Sequence, residues 1–528
     1  MLLHDIMTEA NRKWPGKAAL KFAESQWTYA ELYRDTAGLA HQLTENGVEQ
    51  DHKVGIFLPS GAKFIMSFFA LSAVGATIVP VNINFPVSEL AAHLLELQVT
   101  CVVTDQLLYD RLASCSTVRQ SLKKILVFSD CADRHVIPGN PPADSVVWLS
   151  PDPDCNMPLD SFLPVKRWDT EPAFIQYTSG TTDRSKGAVL SHRALLSNAR
   201  TVSEMMQMSA ADHTLCVMPM CQIFAISAGI LIPVLSGGKV TVLEKFQPKS
   251  VLRSLLNDKI TVFFGSPGIY STLLKYQRKL RYSFPDLRLS YSASAALPVK
   301  VFREYQELFG MDIIQRYGLS ECSPACTGTP LNEKVKPGSV GPPLPGVQIK
   351  IVDANGSELQ PGESGEIIVK GPNLMSGYCN SVEGEQVIKN GWLYTGDIGY
   401  FDEDDYLYIN GRKKDVIIVS GFNVNAREVE EVILEHPCVD EGAVIGIPDA
   451  LTGERVKAVV VLRSGASLTE KELIKFCGER LIRYKWPKVV EFRKYLPKTS
   501  AGKILKRLLV ERDIAENEQD NQGYLAPS

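Results

Sequence analysis

The order of apolar and polar positions divides this chain into short apolar runs separated by amphipathic ones. Over residues 1–50 apolar positions recur at helical spacing, interrupted near Trp27-Thr28-Tyr29. There Thr28, with Glu31 three positions on, is the pattern of a capping box that opens a helix. Residues 54–60 read as a strand ending in a turn. Helix-like and strand-like segments then alternate at 62–74, 77–81, 87–97 and 100–104, and again after 120. From 195 to 316 the alternation resumes, with strands expected near 214–219, 240–243, 260–264, 287–292 and 313–317. Such alternation predicts an α/β fold with largely parallel strands. Residues 133–170, rich in Pro and Asp, read as a connecting loop region.

The pattern changes at about 337–410, where Gly and Pro recur between short alternating runs (347–352, 366–370). That predicts a small antiparallel β unit, with a hairpin-type turn at Asp402-Glu-Asp-Asp405. After Lys414 comes a segment with its own helix and strand mix, long enough for a separate small domain. The expected organisation is a large domain of parallel-sheet α/β subdomains plus the β unit over 1–413, a small mobile α+β domain over 414–513, and a polar tail over 514–528.

Composition narrows the function classes. With 528 residues, 45% hydrophobic and 22% charged, the chain has ordinary soluble character. A net charge of −4 points away from nucleic acid or an anionic membrane as the main partner. The 11 cysteines are scattered without C-x-x-C pairs, which suggests reduced thiols and a cytoplasmic setting. No secretion signal is read at the N-terminus. The 18 uncharged residues from Phe64 to Val81 include Ser67, Ser72, Gly75, Thr77 and Pro80, so a buried helix followed by a buried strand is expected there, not a membrane span.

The stretch Thr178-Ser-Gly-Thr-Thr-Asp-Arg-Ser-Lys-Gly187 packs five hydroxyls, two glycines and two cations into ten positions after an apolar strand-like run. Hydroxyls and backbone N–H groups with a nearby cation suit phosphate oxygens. The spacing is not that of a Walker A motif, and the same composition also suits a linker or an ordinary surface turn. Five further stretches follow in order: Gln315-Arg-Tyr-Gly-Leu-Ser-Glu321; Tyr394-Thr-Gly-Asp-Ile-Gly399; Gly411-Arg-Lys-Lys-Asp-Val416; Ser420-Gly-Phe-Asn-Val424, leading into Glu428-Val-Glu430; and Pro497-Lys-Thr-Ser-Ala-Gly-Lys503. Together the six resemble the adenylate-forming superfamily, which includes acyl- and aryl-CoA synthetases, peptide-synthetase adenylation domains and beetle luciferases. The resemblance runs from Trp27 to about Arg507.

The resemblance implies roles. Thr178, Ser179, Gly180, Thr181 and Thr182 would hold the β- and γ-phosphates of ATP, with Lys186 as a point charge. Tyr317 would stack on adenine beside Ser320, Glu321 would help hold Mg²⁺, Asp397 would accept from the ribose hydroxyls, and Arg412 would also reach the nucleotide. Lys503 would stabilise charge at the α-phosphate, carried in by a domain that turns about Lys414. Gly421 would then line the channel for the pantetheine arm of coenzyme A. Gln222, Phe224, Ser292 and Ala293 would border the acid pocket. Outside the motifs the same residue types are ordinary: a core aromatic, a solvated Glu or Lys, a turn Asp, a surface Arg.

Departures bear on the acid. Asp183 and Ser185 stand where the family loop has Gly and Pro. Gln222 stands for a frequent His, and Ala225 for a common Gly. Ala293-Ser-Ala-Ala-Leu297 lacks the usual Gly and Pro. Arg316 replaces a frequent Gly, Ser320 a frequent Thr, and Asn425-Ala426 an aromatic-Pro pair. The expected activity is acid–CoA ligation through an acyl-adenylate. Transfer to a separate carrier protein's phosphopantetheine is the alternative, and a nucleotide-binding protein of lost or weak activity is the third reading.

Overall fold

Four sheets organise the described residues. The structure is a computed structural model describing residues 1–128, 146–149, 164–178, 186–379, 387–449, 451–498 and 503–511. The first sheet runs, in spatial order, Ile313–Gln315, Leu289–Ser292, Val262–Gly265, His213–Cys216, Lys239–Val242, Ala18–Phe22 and Ser25–Thr28. All its pairings are parallel except the terminal hairpin, so strands from the middle of the chain are completed by two from its beginning, with Leu20 opposite Val240. The second sheet has the order Gly377–Tyr378, Lys186–Ser191, Pro172–Thr178, Thr77–Pro80, Lys53–Phe57, Cys101–Asp105, Lys124–Phe128 and Val146–Leu149. It is parallel apart from the pairings of Lys186–Ser191 with its two neighbours.

Local chemistry explains the elements. The Thr28 Oγ1 accepts from the Glu31 N–H at 3.2 Å and the Glu31 carboxylate accepts from the Thr28 N–H at 2.7 Å, opening helix Tyr29–Glu45. The uncharged run folds as helix Ala62–Ala73 and strand Thr77–Pro80. Phe64, Phe68 and Phe69 on that helix are fully buried, each contributing roughly 1.5–3 kcal/mol. Among the described residues no helix is long and apolar enough to cross a membrane. One expectation needs correcting. Val146–Leu149, inside the stretch read as loop, is an edge strand parallel to Lys124–Phe128. Its four residues are too few for periodicity to stand out between Pro- and Asp-rich neighbours.

The third sheet is the expected antiparallel unit: Gln348–Val352, Gly365–Lys370, Trp392–Phe401, Ile388–Lys389 and Leu407–Arg412. Its hairpin turn is fixed by Asp402, whose Oδ1 accepts from the N–H groups of Asp404 (3.0 Å) and Tyr406 (2.9 Å). The fourth sheet joins Phe422–Asn425, Val416–Val419, Gly453–Leu462, Val439–Asp449 and Val489–Arg493. Two apolar clusters belong to it, one built around Val424, Val429, Ile433 and Val460, the other around Ala443, Val459 and Leu509. Neither contains a residue before Ile417, so the C-terminal domain carries its own core.

Candidate active site

In open parallel sheets, ligands bind beyond the carboxyl ends of the strands. Here strands His213–Cys216, Leu289–Ser292 and Ile313–Gln315 deliver Gln222, Ala293 and the segment Arg316–Glu321 to the wall of a single cavity of about 1220 Å³. Lys186, Phe224, Tyr317 and Ser320 line the same space, and so do Arg412, Lys414 and Lys503 from the chain's last third.

Tyr317 is 9% exposed and donates its hydroxyl to Asp397 Oδ2 at 2.7 Å. Burial first, then the Asp397 charge, pushes its pKa up, so it remains a neutral donor. The other carboxylate oxygen of Asp397 accepts from Arg412 Nε at 2.9 Å. Strand register causes this meeting, because Asp397 and Arg412 are directly opposed on adjacent strands. Asp397 itself is buried just behind the cavity wall, one oxygen accepting from Tyr317 and the other from Arg412.

Glu321 follows Ser320 in a short 3-10 turn and accepts at Oε1 from the Tyr378 hydroxyl at 2.6 Å. Burial, then the Glu321 charge, raises the Tyr378 pKa. Lys186 Nζ sits 5.5 Å from the centre of the same ring, so Tyr378 joins the expected phosphate lysine to the expected metal carboxylate. Sequence reading missed Tyr378; Gly377-Tyr378 is a two-residue strand with no periodic signal. Glu321 supplies a hard oxygen with acceptor capacity left over. Among the described residues no group of three or more His, Cys, Asp or Glu could hold a metal. That donor set fits Mg²⁺, which is held largely by phosphate oxygens and water.

Lys503 opens onto the cleft, yet the protein around it lowers its pKa to about 8. Burial is the largest cause; Arg412 lowers the pKa further, while Asp397 and Asp415 partly oppose this. Lys414, in the 3-10 turn Lys413–Asp415 between the third and fourth sheets, is lowered mainly by burial.

Other expected residues lie elsewhere. Thr178 ends strand Pro172–Thr178, opposite Lys186, while Ser179, Gly180, Thr181 and Thr182 lie outside the described residues. Ser292 does not line the cavity, which corrects the sequence reading. Period-two alternation turns Tyr291 and Ala293 to the cavity and leaves Ser292 fully buried on the opposite side. Gly421 is also away from it, in an exposed turn with φ +83° between Val416–Val419 and Phe422–Asn425.

Comparison with known proteins agrees with this arrangement. Residues 7–379 match the family model described as AMP-binding enzyme, and 428–503 match the AMP-binding enzyme C-terminal domain. A long-chain-fatty-acid–CoA ligase of Bacillus subtilis is 35% identical over 97% of this chain and 94% of its own length. One from Escherichia coli O157:H7 is 30% identical over 99% and 96%. ATP-bound MatB from Rhodopseudomonas palustris superposes with a TM-score of 0.85 at 30% identity, covering 97% of this chain and 99% of that one. The anthranilate CoA ligase AuaEII in complex with anthranoyl-AMP gives 0.87 at 25% identity, covering 96% of each chain. With both domain models matched in order and relatives aligned end to end, the chain belongs to the AMP-binding enzyme family.

Proposed function

We propose that this protein is an ATP-dependent acid–CoA ligase, joining a carboxylic acid to AMP and then passing the acyl group to the thiol of coenzyme A. The observation that carries most weight is that Lys503, from the C-terminal domain, shares one cavity with Tyr317, Glu321 and Lys186.

In the first half-reaction the acid's carboxylate attacks the α-phosphorus of ATP, the new acyl–phosphate bond forms, and the bond to pyrophosphate breaks. The protein's part is positioning and charge. Lys503 faces the α-phosphate and stabilises the charge that accumulates there. Lys186, steadied over Tyr378, takes the outer phosphates together with the 178–182 hydroxyls. Tyr317 presents its ring to adenine, and its bond to Asp397 fixes the ring's angle. Asp397 reaches the ribose through its remaining lone pairs and holds Arg412 toward the nucleotide. Glu321 would hold Mg²⁺, which would supply neutralisation of the phosphate charge.

In the second half-reaction the C-terminal domain, 414–513, turns about Lys414 against the 1–413 unit. Lys503 then leaves and the Gly421 turn is brought to the cleft. The thiol gives its proton to solvent, its sulfur attacks the acyl carbonyl, AMP departs with the bonding pair, and the thioester forms. The exposed position of Gly421 suits an element used only in that second arrangement.

Pyrophosphate exchange and thioester formation across fatty, aryl and short-chain acids test this reading. Acid-dependent exchange followed by CoA-dependent AMP release is expected. No exchange with any acid sinks it, and a clear preference for a holo-carrier protein over CoA reassigns the acceptor.

A further inference from the structure

Arg316 stands where the family pattern frequently has glycine, and the ligase mechanism gives it no task. It directly follows strand Ile313–Gln315, its backbone N–H donating to Ser292 O at 2.9 Å. The side chain lines the cavity but is only 6% exposed. Its guanidinium carbon lies 4.6 Å from the centre of the Tyr291 ring. That ring stacks on Phe264 at 5.7 Å and meets Phe224 edge-on at 5.9 Å, so the cation sits at the aromatic end of the acid pocket.

Two of its nitrogens, Nε and Nη2, are buried with no hydrogen-bond partner, and no carboxylate pairs with Arg316 among the described residues. Burial lowers its pKa to about 10, which still leaves it charged near neutrality. The stem is confined too. A methyl group added at Gly328 would come within 3.3 Å of Arg316 Cγ and Nε and 3.0 Å of Met205 Cε, so little space remains on that side. A guanidinium cannot be discharged cheaply, and a buried one without a counter-charge is the least favourable arrangement of an ion pair's half. With no counter-charge among the described residues, the cavity's ligand is a source within reach of the guanidinium.

We infer that the acid this enzyme activates carries a second carboxylate, which pairs with Arg316 at the aromatic end of the pocket while the first is presented to ATP. The carbon segment between the two lies against Phe224, Ala228 and Tyr291. Because Arg316 occupies the room a glycine would leave, the same side chain obstructs long unbranched monocarboxylic chains. This inference rests on the ligase reading and sharpens it to a substrate class.

The test compares succinic, glutaric and adipic acids with butyric, hexanoic and palmitic acids in CoA-dependent AMP release. The best dicarboxylate should exceed its matched monocarboxylate in kcat/KM on the order of a hundredfold, the scale of a buried charge pair deprived of one partner. Arg316→Met should erase that ratio with KM for ATP unchanged. Arg316→Lys, which keeps the charge but loses the planar fork, should retain a weaker preference and serves if the Met variant fails to fold. Independently of turnover, the favoured dicarboxylate should raise the melting temperature of the wild type and not that of Arg316→Met. A wild-type preference for monocarboxylates, or a dicarboxylate preference that survives Arg316→Met, overturns the inference. So does a raised KM for ATP with acid preference intact, which would place a nucleotide phosphate on Arg316. If no acid is activated at all, the ligase reading falls instead, and the melting shift still decides the anion site.

Discussion

The lowered pKa of Lys503 makes its role measurable without touching the fold. At a pKa of about 8 the amine is about nine-tenths charged near pH 7 and about one-tenth charged near pH 9. If the cation is what stabilises the adenylation transition state, kcat/KM for ATP in pyrophosphate exchange should fall about tenfold across that interval. The sign follows from the group: a lysine is useful when protonated, so activity is lost as pH rises. Burial chiefly sets the position of the limb, with Arg412 and Lys414 lowering the pKa further and Asp397 and Asp415 raising it. Lys503→Ala should lose roughly 10²–10³ in exchange and show no limb in the residual rate. Lys503→Arg, charged throughout this range, should also lack the limb while keeping part of the rate. Thioester formation from preformed acyl-adenylate should survive in both variants, which separates a missing charge from a damaged fold. A limb at unchanged pH in Lys503→Ala, or equal loss of both half-reactions, would refute the reasoning.

Three other outcomes follow from named contacts. Asp397→Asn leaves Arg412 without its carboxylate and weakens the bond from Tyr317, and charged hydrogen bonds of this kind are worth about 1.5–3 kcal/mol. KM for ATP should rise by roughly one to two orders of magnitude, read by titration calorimetry and exchange kinetics. Tyr378→Phe removes the donor to Glu321 but keeps the ring under Lys186, so the Mg²⁺ concentration for half-maximal rate should rise severalfold while KM for the acid stays put. Gly318→Ala would drive a methyl group into the carbonyl of Pro324, a backbone atom that cannot step aside. Exchange activity should vanish and the melting temperature drop, whereas Gly362→Ala, placed in open space at φ +86°, should cost only backbone strain.

Much of this was legible beforehand because it is local. The capping box at Thr28 and Glu31, the helix–strand reading of 64–81 and the alternation of the parallel sheets all follow from neighbours in sequence. What escaped depends on partners far along the chain. Whether Ser292 or its neighbours face the cavity is set by which side of its strand the core lies on. Tyr378 matters only because folding brings it to Glu321, and nothing in the letters around it marks that meeting. Arg316 was visible as a departure, but the lack of a counter-charge among the described residues is a property of its surroundings in three dimensions.

The opening hairpin, Ala18–Phe22 with Ser25–Thr28, has a consequence for how the molecule is made. One edge of Ala18–Phe22 is covered at once by its own hairpin, but the other pairs with Lys239–Val242. During synthesis that edge is made before its partner strand and waits while most of the second sheet, through Ser191, is translated and can close. Until then its row of N–H and C=O groups is an open template for the wrong neighbour, which gives chaperones a reason to shield this short hairpin.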